Sequence, residues 1–155
     1  MGNRNNVIIF QPSWPREEDP QPLYLYSHWG GNDLAIVVMQ AIDRAGERLR
    51  DPAYFSRIMF EEMIKDDLGR NTSYGISVDM APDQDPENTP ITITWQRSNP
   101  GSRLIEWEMF VEWIDGVKRP AREFSLWIEE LKQRAPLGGF PGITLDLSTV
   151  TKEGV

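Results

Sequence analysis

The fold is decided by the stretch Tyr24-Leu25-Tyr26-Ser27-His28-Trp29-Gly30-Gly31, where a strand pattern ends and a helical pattern begins directly afterwards. Side chains alternate through residues 23–29, so Tyr24, Tyr26 and His28, the only histidine, share one face of the predicted strand. Beyond Gly31, apolar residues recur at helical spacing through residues 34–49. The two glycines permit the tight connection that a strand needs to enter a helix.

Alternating apolar and polar residues predict further strands on both sides of this junction. They lie at residues 7–10, 76–80, 91–96 and 105–111, with an edge strand at residues 143–147. The turn Asn99-Pro100-Gly101-Ser102 has proline in second place and glycine in third. This turn predicts a hairpin between the strands that flank it.

Two further helices begin at recognisable signals. Asp51 precedes Pro52, which is the arrangement of an N-cap and a first helical residue, and Pro120 opens a third helix. The third helix carries an apolar stripe at helical spacing, formed by Phe124, Trp127, Ile128 and Leu131. The order of elements predicts an α+β fold, with a mainly antiparallel sheet of about five strands and three helices packed on one face.

Composition predicts a single α+β domain over residues 1–148 and a frayed tail at residues 149–155. The net charge of −8 argues against binding to nucleic acid or acidic membranes, and the apolar run at residues 34–39 is too short to span a bilayer. Cysteine is absent, which excludes disulfides and thiolate chemistry. The acidic residues are scattered and indicate solvated surface rather than a metal site. Because the chain needs no oxidising compartment and its N-terminus lacks the apolar stretch of a signal peptide, we expect a cytoplasmic protein, and we predict no cofactor.

The junction at residues 24–31 is the leading candidate site. The helix after Gly30 and Gly31 directs free N–H groups toward them, and a phosphate or carboxylate can dock there without a lysine. His28 can donate a hydrogen bond to such an anion or act as a general base, while Trp29 and the two tyrosines add aromatic surface. In the alternative interpretation the glycines only permit a tight turn, and His28 is hydrogen-bonded to the backbone.

Candidate residues also lie outside the junction. Arg57 stands beside an apolar stripe, where it either pairs with Glu61 or reaches a ligand held at the glycines. Tyr74 either stacks on a flat ligand or belongs to an ordinary loop before a strand. Trp14, in a proline-rich loop, is expected to be exposed, as a lid over a pocket or as a partner contact. The tryptophans that lie on apolar stripes, and are expected in the core, are Trp95, Trp107 and Trp127.

Four segments within roughly residues 1–95 resemble a family of small uncharacterised proteins of tailed phages and actinobacteria. Those proteins carry R-(S/A)-N-(I/V) near the start, Y-S-H-W-G-G after a strand, D-x-x-Y-x-x-R-I-x-F on a helix, and E-T-G-(Y/F)-G-I-S before a strand. Residues 26–31 match the second motif without change, and the third is matched by Asp51, Tyr54, Arg57, Ile58 and Phe60. The fourth motif departs, because Asn71 stands in place of its glutamate and Ser73 in place of its first glycine.

The resemblance implies a phage-associated accessory protein, a class that often counters host defence, but it implies no particular activity. We therefore predict a non-enzymatic protein that binds an anionic, nucleotide-like small molecule at the junction and sequesters a host immune signal. Two alternatives stay open. One is an acidic inhibitor or adaptor that acts on a host protein, and the other is a hydrolase with His28 as its base. A homo-oligomer is compatible with each.

Overall fold

The structure is a computed structural model that describes residues 2–12, 21–78 and 80–134. Three sequence predictions lie outside these residues, namely the exposure of Trp14, the edge strand at residues 143–147 and the tail at residues 149–155. The described residues include the whole junction at residues 24–31 and all three predicted helices.

One mixed sheet of six strands runs through the described residues. Its strands are, in chain order, β1 (Asn5–Phe10), β2 (Pro22–Ser27), β3 (Tyr74–Val78), β4 (Ile91–Arg97), β5 (Trp107–Glu112) and β6 (Lys118–Pro120). In space the order is β3-β2-β1-β4-β5-β6, and every neighbouring pair is antiparallel except β1 with β4. The predicted α+β class and mainly antiparallel sheet are confirmed, with six strands where we expected about five.

Three helices pack on one face of the sheet, and they are α1 (Leu34–Ala45), α2 (Pro52–Ile64) and α3 (Phe124–Arg134). Most of the strand side chains on this face are buried, and they include Val7, Ile9, Leu25, Ile91, Ile93 and Val111. Burying one large apolar side chain stabilises a fold by about 1.5–3 kcal/mol, so this layer supplies most of the stability. None of the described helices has the length and the apolar content that crossing a bilayer requires.

One predicted helix start is confirmed and another is shifted. The Asp51 side chain accepts a 3.3 Å hydrogen bond from an N–H of the first turn of α2, and Pro52 is the first residue of that helix. The third helix, α3, begins at Phe124 rather than at Pro120. The reason is that β6 pairs with β5 up to Pro120, and a 3-10 turn, Ala121–Glu123, then leads into the helix.

The connection between α1 and α2 differs from the prediction. Helix α1 ends at Ala45 rather than at residue 49, because Gly46 adopts a φ of 55°, which lies outside the helical region. A 3-10 turn, Gly46–Arg50, follows. The Leu49 carbonyl of this turn accepts a 2.8 Å hydrogen bond from Trp95 Nε1 on β4, which holds the turn beside the sheet.

The predicted hairpin is formed by β4 and β5. At its tip the Ser102 N–H donates to the Asn99 carbonyl over 3.2 Å, and Gly101 adopts a φ of 88°. The Asn99 side chain also donates to the Leu104 carbonyl and accepts from the Glu106 N–H, which closes a longer loop than predicted. Strand β5 therefore begins two residues later than the alternation indicates, at Trp107 rather than at residue 105.

Candidate functional site

The junction folds as a bend that the N-terminal segment holds in place. Strand β2 ends at Ser27, whose hydroxyl accepts the Gly30 N–H over 2.9 Å. The Gly31 N–H donates to the Asn3 carbonyl over 2.8 Å, and the Asn3 N–H donates to the His28 carbonyl over 2.7 Å. Both glycine N–H groups are therefore engaged within the chain. An anion that docked at this turn would have to displace Ser27 or Asn3.

The two glycines are required by space and by backbone conformation. A Cβ on Gly31 would lie 2.1 Å from the Asn3 side-chain nitrogen, and one on Gly30 would lie 2.6 Å from Ser27 Oγ. Gly31 is also buried and adopts a φ of 55°. These contacts account for the glycine pair without a ligand, which favours the interpretation as a tight turn.

His28 forms a polar and aromatic group with its neighbours Tyr26 and Trp29. Its Nδ1 lies 2.7 Å from the Tyr26 hydroxyl, and its ring meets the largely exposed Trp29 ring edge to face, with centroids 4.6 Å apart. Burial raises the pKa of the Tyr26 hydroxyl, so this group stays protonated at neutral pH and can donate to His28. Among the described residues, no carboxylate is hydrogen-bonded to the His28 ring, as one would be in a hydrolytic triad.

The structure separates the other predicted site residues. Tyr24 lies on the same face of β2 as Tyr26, which continues the aromatic surface. Tyr74 lies on the opposite, helix-covered face of the sheet, although it belongs to the neighbouring strand. Arg57 is exposed on α2, and its Nε donates to Glu61 Oε2 over 2.8 Å, which is the ion-pair alternative given above. Tyr26, His28, Trp29, Gly30 and Gly31 are thus the predicted residues that the fold brings together.

Sequence reasoning misses a charged pair beside the junction. Arg4 donates to the Asp85 carboxylate from its backbone N–H over 2.8 Å and from Nε over 2.9 Å. These donors hold the pKa of the buried Asp85 carboxyl below its usual range. Asn88 donates to the Arg4 carbonyl over 2.9 Å and thereby reinforces the contact. The prediction that the acidic residues are solvated surface is wrong for Asp85, which ties its loop to the start of β1, and for Glu62, which is buried on α2 and pairs with Arg44.

A cleft with a volume of about 410 Å³ lies between the 3-10 turn Gly46–Arg50 and the start of β5, and none of residues 24–31 lines it. This volume falls within the roughly 300–1,000 Å³ of small-molecule sites. Its apolar wall contains Leu49, the partly buried Trp107 and the buried Met109. The charged residues at its rim are Glu47, Arg50, Glu106, Glu108 and Arg122.

The arginines in and beside the cleft differ in their partners. Arg122 Nη1 pairs with Glu108 over 2.8 Å. Arg50 is exposed and forms no ion pair or hydrogen bond with the side chains of the described residues. Arg97 lies opposite Trp107 in the β4–β5 ladder, and its buried Nε has no hydrogen-bond partner among the described residues. The cleft therefore combines an aromatic wall with one guanidinium group, that of Arg50, which no described carboxylate neutralises.

The sequence predicts no functional role for Arg50, Arg97 or Trp107. Trp107 is predicted only as a core residue, whereas it is partly buried and faces the cleft. The one local signal is the predicted hairpin, because its turn places Arg97 and Trp107 on paired strands. The 3-10 turn Gly46–Arg50 borders the cleft, and most of it falls within residues 34–49, for which the periodicity predicts a continuous helix.

No group of three metal-ligating side chains suitable for a metal ion occurs in the part of the chain that the structure describes. No protein-family model matches the chain, and neither a curated protein nor a solved structure is significantly similar to it. The arrangement of the junction and the cleft is therefore the basis on which a function can be argued.

Proposed function

We propose that the protein acts by binding a small molecule that carries a planar ring and an anionic group, as a nucleotide does, in the cleft between residues 46–50 and β5. The observation that carries the proposal is Arg50, an arginine without a partner among the described residues, at the rim of a cleft walled by Trp107. At the junction, by contrast, the N–H groups expected to hold an anion already donate within the chain.

The cleft supports recognition of both parts of such a molecule. Trp107 offers an aromatic surface, and a stacked ring pair stabilises a complex by about 0.5–1.5 kcal/mol beyond the area that it buries. The planar guanidinium of Arg50 can donate two parallel hydrogen bonds to a phosphate or a carboxylate. Glu47, Glu106 and Glu108 also line the cleft. Their carboxylates repel negative charge, so they disfavour ligands that place several negative charges next to them.

Thermal unfolding in the presence of nucleotides tests the proposal. The panel contains adenosine and guanosine monophosphates, cyclic mononucleotides and cyclic dinucleotides, each in large excess over the protein. A ligand at one hundred times its dissociation constant adds about 2.7 kcal/mol to the free energy of unfolding, so a true ligand raises the melting temperature measurably. A panel without any such rise contradicts the proposal.

Matched variants locate the site. We expect Arg50→Gln to weaken binding by at least about tenfold, because a hydrogen bond to a charged group contributes about 1.5–3 kcal/mol. Arg103→Gln is the control, since Arg103 is exposed on the hairpin loop, outside the cleft, and loses the same charge. His28→Ala separates the two sites. If binding survives Arg50→Gln and disappears in His28→Ala, the ligand binds at the junction and the proposed cleft site is wrong.

The biological setting belongs to the same proposal. The Y-S-H-W-G-G motif at residues 26–31 supports a phage-type accessory protein in the host-cell cytoplasm. A nucleotide ligand would suit such a protein, because sequestering a host immune signal requires binding without turnover. Expression in bacteria that carry a nucleotide-signalled defence tests this role. Phage should then plate better on cells with the native protein than on cells with Arg50→Gln.

A further inference from the structure

Strand β3 forms one edge of the sheet, and its apolar side chains are exposed. It pairs with β2 on one side, and no described strand pairs with its other side. Ile76 is 57% exposed and Val78 is 59% exposed, and Met80, just beyond the strand, is 76% exposed. Ile76 and Val78 face the helix side of the sheet, like their partners in β2, but the helices do not cover them. Neighbouring exposed apolar side chains of this kind mark an interaction surface in a folded protein.

The main-chain groups on this edge are oriented for pairing. The His28 N–H donates to the Ser73 carbonyl over 2.8 Å and so extends the β2–β3 ladder by one bonded pair. Bonded pairs alternate along an antiparallel ladder, so Gly75 and Ser77 are the next residues that bond to β2. The residues whose N–H and C=O groups point to the free edge are therefore Tyr74, Ile76 and Val78.

In the part of the chain that the structure describes, this edge lacks the features by which sheet proteins prevent pairing. Natural edge strands carry lysine, proline or an inward charge, or are covered by another element. Residues 71–78 read Asn-Thr-Ser-Tyr-Gly-Ile-Ser-Val and contain no charged residue and no proline, in a chain in which 26% of residues are charged. This strip is uncharged and exposes the apolar side chains of Ile76 and Val78, whereas the chain as a whole carries a net charge of −8.

We propose that β3 pairs antiparallel with β3 of a second copy of this chain, about a two-fold axis at Ile76. In this register Ile76 lies opposite Ile76, and Val78 lies opposite Tyr74, so apolar side chains meet on one face of the joined sheet. The outward N–H and C=O groups of these three residues then form roughly six main-chain hydrogen bonds between the copies.

A second copy fits this edge better than a basic protein does. The strip itself contains no carboxylate with which a lysine or an arginine of such a partner could pair. Burial and the charges of Asp67 and Asp66 raise the pKa of Tyr74, but both of these carboxylates lie outside the strip. A second copy presents the same neutral row with the same spacing, and its two-fold arrangement closes the contact after one pairing. No residue of β3 lines the cleft, so the dimer proposal can be tested independently of the ligand proposal.

The net charge gives the dimer a distinctive salt dependence. Each copy carries a net charge of −8, so two copies repel each other at low ionic strength although the contact strip itself is neutral. Added salt screens this repulsion and leaves the apolar contact intact. The dissociation constant of the dimer should therefore fall as sodium chloride is raised from low concentration to about 0.5 M.

Sedimentation equilibrium on the full chain tests the proposal. We expect a monomer–dimer equilibrium at protein concentrations of about 5–200 µM. Ile76→Lys places two like charges on the two-fold axis and should weaken the dimer by at least about tenfold. The control is Leu104→Lys, because Leu104 is 74% exposed on the hairpin loop and offers the same change of chemistry away from β3. A dimer that is equally weakened by both variants would overturn the proposal.

Hydrogen exchange identifies the strand in contact without a substitution. The Ile76 and Val78 amides should exchange more slowly as the protein concentration rises, because they become bonded only in the dimer. The Gly75 and Ser77 amides already bond to β2, so their exchange should not depend on concentration. A chain that stays monomeric at about 200 µM, or that dimerises without this alternation, contradicts the proposal and leaves the edge to a strand of a different protein.

Discussion

The two edges of the sheet are built in opposite ways. At one edge, β6 is three residues long, reads Lys-Arg-Pro, and is backed by an aromatic cluster of Trp113, Phe124 and Trp127. At the other edge, β3 is five residues long, carries no charge, and leaves Ile76 and Val78 bare. Within the described residues, the first edge, which we call the closed edge, is protected from pairing and the second is unpaired. The helices that the structure describes therefore cover one end of the sheet and leave Ile76 and Val78 at the other end exposed, which is where we expect association.

The largest expected difference between the edges concerns stability. Phe124→Ala removes a fully buried ring from the cluster behind β6, and we expect it to lower the free energy of unfolding by about 3–5 kcal/mol. Ile76→Ala removes an exposed side chain, so in dilute, monomeric protein it should change that free energy by less than about 1 kcal/mol. Urea denaturation of both variants measures the two values. Equal losses would mean that β3 is covered in solution even in the monomer.

The fold is largely accessible from the sequence because its strands and helices have strong periodicity. The alternation at residues 91–96 predicts β4, and the stripe that begins at Phe124 predicts α3. Strand β6 is missed because Lys118, Arg119 and Pro120 show no alternation and become a strand only through pairing with β5. The exposure of β3 is missed for the opposite reason, since its alternation predicts one buried face, whereas burial depends on how far the helices extend.

The candidate site is less accessible, because its contacts join residues far apart in the chain. The glycine pair predicts a tight turn, and that turn exists, but the sequence does not reveal that Asn3 accepts the Gly31 N–H. The cleft needs a 3-10 turn after α1, and a single glycine with positive φ decides this turn against the helical periodicity. Arg50 and Trp107 line the same cleft only after the hairpin has formed.

A smaller effect at the closed edge concerns Arg119. Its guanidinium lies 4.0 Å from the centre of the Trp127 ring and pairs with Asp115 over 2.7 Å. We expect Arg119→Ala to lower the free energy of unfolding by about 1–2 kcal/mol, because a partly buried cation over an aromatic ring and its packed stem are both lost. Arg122→Ala is the matched control, since Arg122 is exposed and pairs with Glu108 at the surface. It should cost less than about 1 kcal/mol.

The smallest expected effect is the response of this edge to pH. The Arg119 guanidinium holds the pKa of the Asp115 carboxyl below its usual range, so the folded protein binds a proton there less readily than the unfolded chain does. Asp115 therefore contributes stability above its unfolded pKa, and this contribution disappears as the pH falls through the lower folded pKa. Asp115→Asn should destabilise the protein at pH 7, by less than about 1 kcal/mol because the pair is partly exposed, and this difference should vanish in strong acid.

Urea denaturation of Asp115→Asn and the native protein across this pH range measures the effect, and Asp66→Asn supplies the same charge change at an exposed position away from β6. A difference between Asp115→Asn and the native protein that persists unchanged into strong acid would show that the side chain does not stabilise the edge through its charge. In that case the closed edge would be protected by the aromatic cluster and Pro120 alone. The contrast with β3 would then be one of packing and not of electrostatics.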